Sequence, residues 1–188
     1  MAGGVWPVPL CANWLGILVS RRWMPSTAPC LADYKDLPPW CEAQRLAHAF
    51  RIDEATPSNN TLKAMHFHAY RQARNRLESK VLASLGGKRP AAPLVVSGVF
   101  IARHCTGSLD WDNAYGGLKP LLDCLVAPSK RNPSGLGLVL DDNPRAMPEP
   151  PYVRQLKAKR GQSFCDVFVF DCSSLQPSDG CRAAEQCR

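Results

Sequence analysis

Nowhere in its 188 residues does the chain carry a Gly-x-x-x-x-Gly-Lys-[Ser/Thr] loop, which argues against a P-loop nucleotide hydrolase. Its nine cysteines are odd in number and no two have Cys-x-x-Cys spacing. Neither a zinc ribbon nor a disulfide framework is indicated, and a reducing cytoplasm is the expected setting. Membrane-length apolar runs are missing too. The best N-terminal candidate, Val5 to Val19, is broken by Pro7, Pro9 and Asn13 and has no basic segment before it; it reads as neither anchor nor signal. Acid is scarce: 16 Asp and Glu against 23 Lys and Arg leave a net charge of +7.

The basic excess is localised. From Leu62 to Arg89 the single acid Glu78 stands among Lys63, Arg71, Arg74, Arg76, Lys80, Lys88 and Arg89. Apolar or small residues recur there at steps of three and four (Leu62, Met65, Ala69, Ala73, Leu77, Val81, Leu85). The spacing predicts one amphipathic helix opened by Asn60 or Thr61 and stopped at Gly86-Gly87. A face with no balancing acids suits a sequence-independent, salt-sensitive grip on phosphates. Arg154, Lys157, Lys159 and Arg160 extend it, again with no acid between them. His66 and His68 read as packing or phosphate-facing residues rather than metal ligands.

What acid there is gathers in one place. Asp110, Asp112, Asp123, Asp141 and Asp142 fall within 33 residues, with Lys119 among them. In an extended segment, side chains two apart share a face roughly 6.6 Å apart, so Asp110 and Asp112 can converge on one cation while Trp111 points away, toward a core or a neighbour. Asp112-Asn113 reads as a strand-to-helix corner. The helix is expected at about residues 117 to 126, with Pro120 in its first turn and Lys119 and Asp123 as i,i+4 neighbours. Val139-Leu140 reads as a short buried strand ending in Asp141-Asp142, and alternation sends only one of these two acids to the cluster. Carboxylates without His or Cys suit Mg²⁺ or Mn²⁺ rather than zinc.

Pro93 to Arg103 is a β-branched run and reads as a central strand. A strand near Phe50 to Ala55 precedes the basic helix. The expected fold is α+β, a single domain with a mixed β-sheet and helices packed against it. Residues 1–48 hold four of the five tryptophans and read as an accessory or poorly ordered extension, 49–171 as the domain, and 172–188 as a flexible tail.

Together, Asp110-x-Asp112-Asn113, the following Lys119, Asp123 four residues beyond it, and Asp141-Asp142 resemble the core of the RusA-type Holliday-junction resolvases, found largely in phages and prophages. Pro57-Ser58-Asn59-Asn60 is similar to that family's Pro-Ser-x-Asn element. Tyr152 to Lys157 and Phe164 to Phe170 resemble its closing hairpin. The resemblance covers about residues 50 to 171, with a longer gap between Asp112 and Lys119 than in compact members. It implies that Asp110, Asp112 and Asp142 bind Mg²⁺ as catalytic acids and that Lys119 assists near the scissile phosphate. It further implies a homodimer that cuts four-way DNA junctions in recombination and repair. Lys63, Arg71, Arg74, Arg76, Lys80, Arg154 and Lys157 would then hold the DNA. Two other readings stay open: a DNA-binding module without catalysis, and a metal-dependent phosphatase or nucleotide hydrolase.

Overall fold

The computed structural model describes residues 28–174. A short 3-10 turn (Leu31–Asp33) and α1 (Pro39–Ala43) lead into β1 (Arg45–Ile52). Next come α2 (Asn59–Lys63), α3 (Phe67–Ser84), β2 (Ser97–Cys105), α4 (Trp111–Gly116), α5 (Lys119–Leu125), β3 (Tyr152–Lys157) and β4 (Phe164–Asp171). The four strands form one mixed sheet in the order β1-β4-β2-β3, antiparallel except for the parallel β2/β3 pair. This is the expected α+β domain.

The central strands β2 and β4 read as nearly continuous apolar runs because both sheet faces are covered. Val99, Ile101, Val167 and Val169 point to one face and pack with Leu77 and Val81 of α3 and Leu121 and Leu125 of α5. Leu77 and Val81 are one helical turn apart, and burying each stabilises the fold by roughly 1.5–3 kcal/mol. The alternate residues, Phe100, Ala102, Phe168 and Phe170, face the other way, where Leu31, Tyr34, Leu37, Trp40 and Cys41 cover them. Gly98 is small enough to let the Trp40 ring lie directly on β2.

This second layer moves the expected N-terminal boundary. Residues 31–48 belong to the fold, because the segment from Leu31 to Ala43 covers a sheet face and β1 begins at Arg45. Residues 1–27, including the apolar stretch Val5 to Val19, and 175–188 of the expected tail lie outside the described residues.

The expected closing hairpin is corrected as well. β4 pairs with β1 and β2, while β3 lies on the far side of β2, so the two do not pair with each other. The single expected basic helix is two: Ser58 caps α2 by accepting from the Thr61 amide, and residues 64–66 break the run before α3. Gly86 and Gly87, both at positive φ, then end α3 as expected, with the Gly87 amide returning to the Leu82 carbonyl at 2.8 Å. Among the described residues no helix is long and apolar enough to cross a membrane.

Candidate functional site

Asp110 and Asp112 are not neighbours on a strand. Asp110 is the N-cap of α4, its Oδ1 accepting from the Asn113 amide at 2.9 Å, and Asp112 lies in that helix's first turn. A capping carboxylate satisfies one of the orphan amides of a helix start, and here that local bond outweighs the extended conformation expected for Asp-x-Asp. Trp111 is correspondingly 64% exposed, with Tyr115 one turn on and the ring centroids 5.9 Å apart. Of the core or neighbour expected for Trp111, it is the neighbour, the Tyr115 ring, that it meets.

The helix is seated by its glycines. A Cβ on Gly116 would collide with the Asn59 side chain and one on Gly117 with the Pro57 carbonyl, so α4 presses against the Pro57-Ser58-Asn59-Asn60 element. Asn113 Oδ1 accepts from the Asn60 amide at 3.0 Å. The fold thus brings together two motifs whose bonded residues, Asn60 and Asn113, are 53 positions apart.

Lys119 opens α5, which places Pro120 in the first turn, where its missing N–H costs nothing. The ammonium lies 2.8 Å from Asp123 and 2.7 Å from Asp142. Burial alone would lower the Lys119 pKa, but both carboxylates act against it and raise it above the ordinary lysine range. The same hydrogen bond and charge hold Asp142 below the ordinary aspartate range. Tyr70 of α3 donates to Asp123 at 3.2 Å; burial and that carboxylate push its hydroxyl up to about 12.

Asp142 reaches Lys119 because the long loop after α5 folds back. Leu136 and Leu138 donate to the Cys124 and Leu125 carbonyls, and Val139 bridges Leu94 and Val126. The short strand expected at Val139-Leu140 reduces to these bridges. Asp141 is engaged locally, accepting from the Asp142 amide and the Asn143 side chain, so Asp142 is the one of the pair that meets the lysine.

No family model, curated protein or solved structure matches this chain.

The structure does not gather Asp110, Asp112 and Asp142 into one metal group: among the described residues no three His, Cys, Asp or Glu side chains are placed to hold an ion. Lys119 already supplies the cation for Asp142. Asp112 is exposed, and Asp110 has one oxygen beyond its cap bond. A preformed all-protein cradle does not fit these residues. Magnesium held by one or two carboxylates, with waters and substrate phosphate completing its shell, is compatible with their oxygen chemistry.

The expected DNA-binding residues divide. Arg76 and Lys80 are neutralised by acids from outside their helix: Arg76 lies 2.6 Å from Glu54, and Lys80 lies 2.9 Å from Glu54 and 3.1 Å from Asp53. Arg74 leans toward Ser134, and Arg154 pairs with Asp36 at 3.3 Å. Lys63, Arg71 and Lys157 are exposed and form no ion pair among the described residues. The unbalanced face is therefore smaller than the charge run suggests.

Sequence reasoning missed two polar clusters. Asp166 is fully buried in β4, accepts from Arg51 Nε and Nη2 at 2.7 and 2.8 Å and from the Tyr34 hydroxyl, and lies 3.8 Å from His104. Phe164 is flanked by the Arg51 guanidinium at 4.1 Å and the His104 ring at 4.0 Å. A lone acid inside the run Phe-Cys-Asp-Val-Phe-Val-Phe is a signal for such a partner, since a buried carboxylate requires one. The second cluster pairs Arg103, 6% exposed, with the Thr56 carbonyl at 3.1 Å, leaving Arg103 Nη1 and Thr56 Oγ1 without partners among the described residues.

Proposed function

We propose that this protein is a structure-selective DNA endonuclease that resolves four-way junctions by phosphodiester hydrolysis, acting with Mg²⁺ as a homodimer in recombination and repair. The observation that supports this most is the seating of the Asp110–Asn113 turn on the Pro57–Asn60 element, with Lys119 fixed by Asp142 at the start of the next helix. Two pairs of distant sequence elements of the resemblance thus meet in space, Asp110–Asn113 with Pro57–Asn60 and Lys119 with Asp142.

In this reading Asp112 and the second oxygen of Asp110 would hold the cation, which would supply charge neutralisation at the scissile phosphate. Lys119, locked by two carboxylates, presents a positioned positive charge to a non-bridging oxygen. Lys63, Arg71 and Lys157 supply the contacts to phosphates outside the cut. A two-fold dimer would place two such sites for paired incisions.

A DNA-binding module without catalysis is the second reading. It is favoured by Asp110 serving as a helix cap and by the lack of a three-carboxylate group among the described residues.

Cleavage of an end-labelled four-way junction with Mg²⁺, by wild type and Asp112→Asn, separates these. Asp112 is exposed and its replacement isosteric, so the variant is expected to fold and bind DNA while losing cleavage. Equal cutting by both proteins refutes the assigned site. Tight junction binding without cutting by wild type favours the binding module, and hydrolysis of a chromogenic phosphate ester in place of the junction favours a phosphatase.

A further inference from the structure

The parallel strands β2 and β3 both end at the same edge, with Cys105 beside Lys157 in register. Ligands of α/β sheets collect outside the carboxyl ends of parallel strands. Here that edge opens into a cleft of about 360 Å³ lined by Cys105, Thr106, Gly107, Ser108, Gln155 and Lys157. The Gln155 amide clamps the loop by donating to the Leu109 carbonyl and accepting from the Leu109 N–H, both at 2.7 Å. The loop is therefore a held shape leading directly into Asp110.

Three features of this edge favour negative charge. Arg103 stands two residues before Cys105 on the same strand face, behind the cleft lining; it is nine-tenths buried, donates through Nε to the Thr56 carbonyl, and among the described residues has no ion pair and one guanidinium nitrogen without a partner. A buried arginine without a carboxylate is costly unless an anion compensates it. Lys157 is exposed on the cleft wall and forms no ion pair among the described residues, and the exposed Lys159 and Arg160 follow it. The cleft's own thiol reports the same field. Burial pushes the Cys105 pKa up, yet the Gly107 amide, the Ser163 hydroxyl, Arg103 and the Thr106 amide together hold it below the ordinary cysteine range. Buried Cys41, Cys124, Cys165 and Cys172 are instead pushed up.

We infer that this cleft is a phosphate subsite, in which the Thr106 and Gly107 amides, the Ser108 hydroxyl and Lys157 hold one phosphate group within the field of the buried Arg103. Its position beside Asp110 suits a backbone phosphate of bound nucleic acid, and a free phosphate would use the same donors. The inference goes beyond the endonuclease reading, because the subsite lies outside the acidic cluster and stands whether or not DNA is cut.

Cys105 is a built-in reporter. Wild type is treated with iodoacetamide at low ionic strength, and alkylation is followed at each cysteine by mass spectrometry, with exposed Cys30 as the internal control. The probes are inorganic phosphate and a short oligothymidylate. At a probe concentration ten times its Kd, Cys105 alkylation is expected to slow about tenfold while Cys30 is unchanged, by mass action. Lys157→Gln is expected to abolish most of that protection while melting as wild type does. Protection by oligothymidylate at lower phosphate-equivalent concentration assigns the subsite to nucleic acid; protection by inorganic phosphate alone assigns it to a small phosphate. Unchanged Cys105 alkylation with both probes, or full protection persisting in Lys157→Gln, overturns the subsite. Junction cleavage, measured separately, decides the endonuclease reading.

Discussion

Replacing Gly117 with alanine isolates the contact that joins the two motifs of the candidate site. Gly117 has φ −68° and ψ −13°, a conformation alanine adopts readily, so backbone strain contributes nothing. The added methyl would meet the Pro57 carbonyl carbon at 3.0 Å, its oxygen closer still, and the Asn113 carbonyl oxygen at 3.0 Å. All three are backbone atoms, so no side-chain rotation relieves the overlap. Either α4 or the Pro57 segment must move, and the Asn60–Asn113 hydrogen bond is then stretched or lost. Overpacking of this kind costs about 1–3 kcal/mol, and a lost hydrogen bond adds about 1 kcal/mol, so roughly 2–4 kcal/mol is expected. For a chain of this size that corresponds to a fall in Tm of roughly 4–16 °C. Urea unfolding followed by circular dichroism measures it, with Gly107→Ala as the control, since a Cβ there meets nothing within 4 Å. The control is expected within about 0.5 kcal/mol of wild type. A Gly117→Ala variant equally close to wild type would refute the seating of α4 on the Pro57 element, and with it the main support for the proposed site.

Other outcomes follow from the same geometry. Tyr34→Phe removes a hydroxyl bonded to fully buried Asp166 and is expected to lower unfolding free energy by roughly 1.5–3 kcal/mol; no change would show that Tyr34 does not anchor the second layer. The Lys119–Asp142 pair predicts a pH effect. Because the folded Asp142 pKa is depressed, its contribution is fully present above the ordinary aspartate range and is lost as pH falls through the depressed value. Both partners are partly exposed, so the contribution is about 1 kcal/mol at most; thermal melts should show Asp142→Asn below wild type near pH 6 and level with it at the acid end, and a gap that widens with acid would reverse the assigned sign.

Much of the architecture is legible in the chain because burial on both faces writes itself as unbroken apolar runs, as in Val99 to Ala102 and Val167 to Phe170. The 3.6-residue recurrence of Ala73, Leu77 and Val81 likewise marks the buried side of α3. Pairing is another matter. Nothing local distinguishes a β3–β4 hairpin from β4 crossing to lie between β1 and β2, since both satisfy the same hydrophobic pattern. The acidic motif misled for a different reason: Asp110 has both an extended and a capping use, and its hydrogen bond to Asn113 decides between them only in the folded chain. The balancing of Arg76 and Lys80 was hidden because Asp53 and Glu54 lie on the preceding loop, outside any window drawn around the helix. Lys119 meeting Asp123 was readable from i,i+4 spacing; its meeting with Asp142 depended on the fold-back of the loop between them.

The place of β4 bears on how the chain acquires its structure during synthesis. Of the described strands the last made enters the middle of the sheet, so until Phe164 to Asp171 leave the ribosome, β1 lacks its described partner and β2 its neighbour on that side. Until then the growing chain carries open edges on β1 and β2, with Phe50 and Phe100 lacking the strand that pairs beside them. Completing the sheet then requires pairing between distant parts of the chain, with Arg45 opposite Asp171 126 positions away, the kind of non-local contact that slows folding.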